Sequence, residues 1–310
     1  MRALVVLNPG SGSGDQAERV APVWNAVASR PGWNVVQADD ASAAEQAIRK
    51  AAAAGVDVVA AAGGDGTVHR VVQVLGALPE PPRLGVVPLG TGNDLARTLA
   101  VPVDAAAAIE VLDAGRERAL DLCRVEAGDR TRYCINAATG GLSVAIADAL
   151  SKEEKATWGP FAYVLGAARE LGELEPFAVR LELDGAPPRE VEALSVILAN
   201  GRYAAGGMGV APAADPEDGL LDLVTMRAGS GMAVAGLGPR LAAGRLLESE
   251  LVSHDLVRRV VVDARPSMAF SLDGEPFEDE RGGEAHGRIR FAVLPRRLRV
   301  LVGPDYHRDA

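Results

Sequence analysis

The chain has 310 residues, 48% hydrophobic and 24% charged, a balance typical of folded globular proteins that excludes a disordered or collagen-like chain. Its 42 acidic and 32 basic residues give a formal net charge of −10, which argues against a general nucleic-acid-binding protein, because such proteins depend on cationic contacts with phosphate. The length predicts two domains.

The first half of the chain alternates short apolar runs with helical stretches. The predicted strands are Ala3–Leu7, Trp33–Val36, Val56–Ala61 and Leu84–Val87. The predicted helices are a stretch that begins at Asp15, Ser42–Ala54, Val68–Leu75, and two further helices that begin at Asp94 and Asp104. This alternation predicts a parallel sheet with right-handed crossovers, in which ligands bind at the carboxyl ends of the strands.

The second half changes character near residue 116, where short β-like runs separated by turn signals predict a mostly antiparallel sandwich. The predicted strands are Ala119–Val125, Tyr133–Ala137, Val179–Leu183, Leu194–Ala199, Leu221–Met226, Val257–Val262, Met268–Leu272 and Ile289–Val293. Helical insertions are predicted at Leu142–Leu150, Phe161–Leu171 and Met232–Leu247, and Leu298–Val302 is one more strand that the pattern does not place. The predicted fold class is therefore α/β, with a parallel-sheet domain followed by a β-sandwich domain.

The chain carries no recognisable export or membrane signal. Cys123 and Cys134 show neither CxxC spacing nor a disulfide framework, which is typical of a reducing compartment. The amino terminus is too poor in apolar residues for a signal peptide, and no apolar run reaches the roughly 18 residues of a membrane span. We therefore expect a cytoplasmic protein, which leaves contact with a membrane surface open.

Three glycine-rich segments follow predicted strands, at residues 8–14, 63–67 and 90–94. Glycines allow a backbone to approach phosphate closely, and a following helix adds partial positive charge. The first segment is not a Walker A loop, because it has no Gly-Lys-Ser/Thr; it matches only a loose dinucleotide fingerprint with Asp39 or Asp40 as ribose partner. Together the segments favour a polyphosphate site at one edge of the sheet.

Each segment also has a purely structural interpretation. A tight strand-to-helix turn explains the first segment equally well. In the second, Asp65 or Thr67 could serve only as the N-cap of a helix. We favour a functional role there, because a cap alone does not need three glycines.

The motifs NPGSG at 8–12, GGDGT at 63–67 and GTGND at 90–94 resemble those of the diacylglycerol kinase catalytic-domain family, which includes bacterial lipid kinases and the sphingosine and ceramide kinases. Residues 211–222 resemble its PxAxxxDGxLD segment, and residues 272–275 its LDGE segment. GGDGT alone is shared with NAD kinases and phosphofructokinase relatives. The five motifs in order are far more specific.

The resemblance implies an ATP-dependent kinase that transfers the γ-phosphoryl group to a lipid hydroxyl, with diacylglycerol as the first candidate and a role in phospholipid biosynthesis. It also implies an active site in the cleft between two domains. The domains implied are residues 1–118, joined by the returning segment 295–310, and residues 119–294. ATP and Mg²⁺ are the implied cofactors.

Carried over to this sequence, the family's nucleotide-binding positions fall on the three glycine segments. They are Asn8, Pro9, Gly10, Ser11, Gly12, Gly64, Asp65, Gly66, Thr67, Thr91, Asn93 and Asp94. The implied catalytic acids are Asp65, Asp273 and Glu275, and either of the last two is a candidate for the base that takes the lipid hydroxyl proton. An Asp-Gly pair between two strands is also a common hairpin signal. Asp184-Gly185 has the same signal, but no glutamate follows it as Glu275 follows Asp273-Gly274.

The resemblance further places a structural Mg²⁺ at the Asp218 side chain, with backbone oxygens near Asp215 and Leu220. A polar turn without an ion explains that segment nearly as well. Two departures from the family pattern stand out. His69 and Arg70 follow GGDGT where relatives have Asn and Glu, and residues 37–40 lack the usual threonine.

The expected partner is a lipid at the inner membrane surface, reached by weak and transient contact because the chain is acidic. No nucleic acid is expected, and a homodimer is left open. Candidate headgroup contacts are Arg258, Arg259, Arg296, Arg297 and Arg299, and candidate acyl-groove residues are Trp158, Phe161, Tyr163 and Leu165. The alternatives are NAD-kinase-like phosphorylation of a soluble substrate and a nucleotide- or lipid-binding regulator without turnover.

Overall fold

A computed structural model describes residues 1–12, 16–37, 41–141, 175–204, 206–230, 233–234, 236–277 and 287–306. The chain divides into two units, which we call unit 1 (Met1–Leu122 with Arg296–Ala310) and unit 2 (Cys123–Pro295). The junctions predicted from sequence follow residues 118 and 294.

Unit 1 is built on a parallel sheet, as predicted. Its strands are β1 (Ala3–Leu7), β2 (Trp33–Gln37), β3 (Val58–Gly63) and β4 (Arg83–Pro88), in the spatial order β2-β1-β3-β4. Its helices are α1 (Gln16–Ser29), α2 (Ala41–Ala53), α3 (Asp65–Ala77), α4 (Asp94–Thr98) and α5 (Ala105–Ala114). β1 and β3 are buried along their whole lengths, which is why they read as continuous apolar runs.

The start of α3 differs from the prediction. The sequence predicted a loop through residue 67 and a helix from Val68, whereas β3 ends at Gly63 and α3 begins at Asp65. Gly64 alone separates them, and its carbonyl accepts hydrogen bonds from the N–H groups of Thr67 and Val68. The N-cap is Gly64, so the alternative interpretation of Asp65 or Thr67 as the N-cap, which we did not favour, does not hold.

Helix α5 is capped at both ends. The Asp104 carboxylate accepts the N–H of Ala107 at 2.9 Å, which satisfies one of the free donors of the first turn. Gly115 ends the helix in the left-handed conformation with φ of 66°, a geometry that glycine adopts without strain.

Unit 2 is antiparallel, as predicted. Its complete strands are β6 (Arg130–Cys134), β7 (Ala137–Gly141), β8 (Phe177–Leu183), β9 (Arg189–Ala199), β10 (Tyr203–Ala204), β11 (Met208–Gly209), β12 (Leu221–Arg227), β13 (Val252–Val257), β14 (Arg259–Arg265), β15 (Phe270–Leu272) and β16 (Glu275–Pro276). Strand β5 (Glu117–Ala127) starts in unit 1 and ends in unit 2. In spatial order, β16-β15-β7-β9-β8-β14 form one antiparallel run, and β12 pairs with both β9 and β13.

Strand β9 shows how the core of unit 2 is arranged. Val196 and Leu198 belong to one buried cluster, whereas Ile197 and Ala199 belong to another. Because successive side chains of a strand point to opposite faces, both faces of β9 are covered. This explains why its second half reads as a continuous apolar run in the sequence.

Two predicted strands of unit 2 are each divided in the structure. The predicted strand Tyr133–Ala137 spans the end of β6, a break at residues 135–136 and the first residue of β7. The predicted strand Val257–Val262 contains the last residue of β13 and part of β14. Strand β13 was missed, because its sequence VSHDLV has three consecutive polar residues, Ser253 to Asp255, and therefore forms no apolar run.

The last strand, β17 (Ile289–Leu301), begins in unit 2 and ends in unit 1. It pairs with β14 in antiparallel fashion, and its Val300 pairs with Leu84 of β4 in parallel. The sequence predicted two separate strands here, on either side of Pro295. Proline is tolerated where a strand does not need its N–H, and the next residue, Arg296, donates its own N–H to the Asp121 carboxylate at 2.6 Å.

The predicted helix Met232–Leu247 is replaced by shorter pieces, α6 (Leu237–Ala242) and a 3₁₀ helix at Leu246–Glu248. The predicted helices at residues 142–150 and 161–171, and the predicted acyl-groove residues 158–165, lie outside the described residues. Among the described helices, none combines the length and the apolar character that crossing a bilayer requires.

Candidate functional site

The three glycine motifs of unit 1 start side by side. Leu7 of β1 pairs with Ala62 of β3, and Gly63 of β3 pairs with Pro88 of β4, so the strands end in register. The N–H of Asn8 continues the pairing by donating to the Ala62 carbonyl at 2.9 Å. The sheet therefore brings together the three segments that the sequence predicted at one edge.

Glycine is required where these segments touch. The Gly64 N–H donates to the Ser11 hydroxyl at 3.2 Å. A Cβ on Gly90 would lie 2.5 Å from the Gly64 Cα, so the two backbones meet without room for a side chain. A Cβ on Gly12, whose φ is 80°, would lie 2.1 Å from the Leu89 carbonyl oxygen. Glycine thus serves close backbone approach here, as a phosphate cradle needs.

Asp65 connects the second glycine motif to the third. Its two carboxylate oxygens accept the N–H groups of Asn93 and Asp94, each at 2.8 Å. Asn93 adopts the left-handed conformation with φ of 54°, and its side-chain amide both accepts from the Gly90 N–H and donates to the Gly90 carbonyl. Asp65 thus holds the start of α4 against the start of α3.

The remaining nucleotide-binding candidates differ in exposure. Gly10, Gly12 and Thr91 are exposed, whereas Asn93 and Asp94 are buried. Thr67 is 3% exposed, and no described residue forms a hydrogen bond with its buried hydroxyl. A buried hydroxyl without a partner marks a place where an acceptor or donor belongs. Together with the Gly64–Gly90 contact, it fits a site for an oxygen-rich ligand such as a phosphate chain.

In unit 2, the candidate acid Asp273 occupies the turn between β15 and β16, with φ of 51°. Its Oδ1 accepts the N–H groups of Asn136 and Ala137 at 2.8 and 3.1 Å and the thiol of Cys134 at 3.0 Å. Its Oδ2 accepts the N–H of Ile135 at 3.1 Å. Asp273 therefore fixes the segment between β6 and β7. The other candidate acid of this turn, Glu275, is exposed.

Cys134 is a contact of Asp273 that sequence reasoning missed. It lies opposite Cys123 in the β5–β6 pair, and both are buried free thiols. Burial, and after it the negative charge of Asp273, raise the pKa of both thiols above their usual range. Cys134 thus stays protonated and can donate to the carboxylate. Nothing in the sequence spacing signals this contact, because Cys134 and Asp273 are far apart along the chain.

The Asp184-Gly185 turn between β8 and β9 repeats the geometry of the Asp273 turn. Asp184 has φ of 49°, and its carboxylate accepts the N–H groups of Arg258 and Arg259. Each Asp-Gly turn therefore has a structural role in which the carboxylate binds backbone N–H groups of a neighbouring segment. The Asp273 turn differs by its thiol donor and by the glutamate that follows it.

The segment predicted to hold a structural Mg²⁺ forms a tight polar turn. The Asp215 carboxylate accepts the N–H of Glu217 at 3.0 Å, and the Asp218 carboxylate accepts the N–H of Leu220 at 2.8 Å. The oxygen-only donor set suits Mg²⁺. Within the described ranges, no group of three or more His, Cys, Asp or Glu side chains is placed to hold a metal ion. An ion here would need backbone oxygens and water, so the Mg²⁺ site stays a prediction.

The first of the two departures from the family pattern, His69 and Arg70, lies inside a helix. Because α3 begins at Asp65, His69 and Arg70 belong to its second turn and are half-buried. They do not occupy the glycine loop itself.

Comparison with known proteins gives consistent results for both parts of the chain. Residues 2–125 match the family model of the diacylglycerol kinase catalytic domain. Residues 138–302 match that of the YegS C-terminal NAD kinase beta sandwich-like domain. Among solved structures, a diacylglycerol kinase of Bacillus anthracis superposes with a TM-score of 0.73 at 21% identity, covering 99% of this chain and 98% of that one. Yeast NADH kinase superposes with a TM-score of 0.57 at 15% identity, covering 98% of this chain and 83% of that one. These likenesses show the fold.

Curated relatives show the family. The protein of Xanthomonas oryzae pv. oryzae named "Probable lipid kinase YegS-like" is 33% identical over 270 residues, which cover 84% of each chain. The Pseudomonas aeruginosa protein of the same name is 33% identical over 301 residues, covering 96% of this chain and 93% of the relative. With the glycine motifs and acidic turns described above, these matches establish that the chain belongs to the YegS-like family of lipid kinases.

Proposed function

We propose that the protein is an ATP-dependent lipid kinase that transfers the γ-phosphoryl group to a lipid hydroxyl, with diacylglycerol as the first substrate to test. The observation that carries this proposal is the Asp65 carboxylate, which ties GGDGT to GTGND by two hydrogen bonds of 2.8 Å. These two hydrogen bonds keep the backbones of Gly64 and Gly90 in contact. Without side chains at these two positions, a phosphate group can approach the backbone N–H groups closely.

Phosphoryl transfer needs mainly positioning and charge neutralisation. In our proposal unit 1 binds the ATP phosphates, and bound Mg²⁺ supplies positive charge beside them. Asp215, Asp218 and Leu220 would hold a structural Mg²⁺ through oxygen atoms. The proposed site of action is the cytoplasmic membrane surface, reached transiently.

Asp273 and Glu275 stay the two candidates for the base that takes the lipid hydroxyl proton. Asp273 already accepts three backbone N–H groups and a thiol, whereas the carboxylate of Glu275 is exposed. Hydrogen bonds to an ionised carboxylate stabilise it and weaken it as a base. Comparing the pH–rate profiles of Asp273→Asn and Glu275→Gln would separate a base from a positioning residue.

The test is a thin-layer assay with labelled ATP and Mg²⁺ against diacylglycerol, monoacylglycerol, ceramide, sphingoid bases, phosphatidylglycerol and NAD. We expect label in a lipid, first in diacylglycerol. Label in NAD alone, or calorimetric binding of ATP with no labelled lipid, would contradict the proposal.

Asp104→Asn is a matched control for Asp65→Asn, because both aspartates accept backbone N–H groups at the start of a helix in unit 1. We expect Asp65→Asn to lose transfer and Asp104→Asn to keep it. Equal activity of the two variants would remove Asp65 from the site.

A further inference from the structure

Arg19 of α1 lies between the first and third glycine segments. Its Nη1 donates to the Leu89 carbonyl at 3.1 Å, in the residue just before GTGND. A Cβ on Gly12 would lie 2.7 Å from the same Nη1, in addition to its contact with Leu89. The guanidinium therefore sits directly against the backbone of two segments that form the candidate phosphate site.

The guanidinium of Arg19 is only partly satisfied. A guanidinium has five N–H donors, and the buried Nε of Arg19 has no hydrogen-bond partner among the described residues. Within the part of the chain that the structure describes, Arg19 makes no ion pair. A buried donor that lacks an acceptor is costly, and for a cation the best acceptor is an anion.

Two other arginines of unit 1, Arg116 and Arg297, bind differently. Arg116 donates to the carbonyls of Pro304 and Tyr306, and Arg297 donates to the carbonyls of Gly76 and Leu78. Each of these two side chains spans two or more carbonyl groups with its terminal nitrogens, as a structural clamp does. Within the described ranges, Arg19 donates to a single carbonyl, that of Leu89.

The three glycine motifs provide no positively charged side chain for a phosphate ligand. The motifs NPGSG, GGDGT and GTGND contain no lysine or arginine, whereas Asp65 and Asp94 add two acidic groups. A triphosphate bound there would meet backbone dipoles and carboxylates without a positive side chain from the motifs. Arginine is always charged at physiological pH and can bind two phosphate oxygens at once.

We propose that Arg19 contacts the phosphate chain of the nucleotide and supplies the positive charge that the glycine motifs lack. This inference rests on the proposed ATP-dependent function. It assigns to one helical residue a role that no motif in the sequence signals.

The test measures the binding of ATP and of inorganic tripolyphosphate by calorimetry, without lipid. The variants are Arg19→Met, which keeps the length of the side chain but not its charge, Arg19→Lys, and the control Arg116→Met. We expect Arg19→Met to weaken both ligands by about 10- to 100-fold, the loss typical of a charged hydrogen bond. Arg19→Lys should recover part of that loss, and Arg116→Met should change affinity less than about twofold.

Urea unfolding of the same variants separates binding from stability. Unchanged affinity of Arg19→Met, or a loss that Arg116→Met shares, would overturn the inference while the proposed function stands. A loss that only follows reduced folding stability would do the same. If the wild-type protein binds no ATP, the proposed function fails and this inference fails with it.

Discussion

Gly64 and Gly90 impose a strict steric condition on the candidate phosphate site. A Cβ on Gly90 would lie 2.5 Å from the Gly64 Cα, and a backbone atom cannot move aside as a flexible side chain can. We therefore expect Gly90→Ala to push the second and third glycine motifs apart. Overpacking of this kind costs about 1–3 kcal/mol of folding free energy. Urea unfolding and an ATP titration would measure the loss of stability and of affinity.

Gly10 provides the matched control within the same set of segments. A Cβ on Gly10 would meet only the Asn8 side chain, at an ordinary 3.5 Å. Gly10→Ala should therefore leave stability within about 0.5 kcal/mol of the wild type. If the two alanine variants behaved alike, the close approach of Gly64 and Gly90 would not be what the site requires.

The roles of single residues were harder to predict than their positions. The sequence predicted Asp65 and Asp273 as functional acids, which stays a prediction, but it did not reveal that both carboxylates bind backbone N–H groups. For Asp273 the donors are residues 135–137, which are distant along the chain. Only the strand pairing of β7 with β15 brings them together. Propensity and motif spacing carry no information on such contacts.

At the scale of elements, the two Asp-Gly hairpin turns provide a test of function against structure. Asp184 and Asp273 both occupy left-handed positions and both accept backbone N–H groups of a neighbouring segment. We expect Asp273→Asn to lower stability by about 1–3 kcal/mol, because it loses an acceptor for partly buried donors, and Asp184→Asn to lower it less, because the hydrogen bonds of Asp184 are exposed. Thermal unfolding would measure these losses.

The same two variants should differ in activity. Phosphate transfer measured well below the unfolding temperature should survive in Asp184→Asn and fall by at least about 100-fold in Asp273→Asn, the usual scale for a catalytic acid or base. Comparable activity in the two variants would mean that Asp273 has only a structural role in its turn.

The β12–β13 pair contains a histidine whose charge should affect stability. His254 bonds the buried carboxylate of Asp222 at 2.7 Å, and this hydrogen bond, with the charges of Asp222 and Asp255, raises the pKa of His254 against the opposing effect of burial. Arg189 in turn pairs with Asp255. The stabilisation from protonated His254 should be complete below the unfolded-state pKa of about 6.5 and disappear as pH rises through the higher folded-state pKa.

We therefore expect His254→Gln to lower stability more at pH 5.5 than at pH 8. The difference should be at most about 1 kcal/mol, because the histidine side chain is 32% exposed and solvent screens the pair. Urea unfolding at the two pH values measures it. If His254→Gln lost more stability at pH 8 than at pH 5.5, protonated His254 would not stabilise the folded protein through Asp222.

Among the secondary-structure elements, strands with continuous apolar sequences were predicted most accurately. Strands β1 and β3 of unit 1 are buried along their whole lengths, so their sequences stand out, and β1 has the predicted bounds. The elements that were wrong lie where polar residues face solvent, as in β13, or where a strand runs through a proline, as in β17. There the tertiary environment, which the local sequence does not encode, decides the structure.

At the scale of the whole molecule, net charge should govern membrane contact. The chain carries a net charge of −10, and Arg297, one of the expected headgroup contacts, already donates to carbonyls at the end of α3. We expect no binding to neutral phosphatidylcholine vesicles at high salt, and weak binding to any vesicle at physiological salt. Vesicle sedimentation measures both. Tight, salt-resistant association with neutral vesicles would contradict the proposed transient contact.

Strand β17 has a consequence for how the protein is made. Its last residues complete the sheet of unit 1 by pairing with β4, although they are encoded some two hundred residues later than that strand. A ribosome therefore releases the whole of unit 2 before the first sheet can be finished. A truncated chain that ends at residue 122 would leave Leu84 of β4 without its pairing partner Val300. A single C-terminal truncation therefore cannot produce unit 1 with its complete sheet.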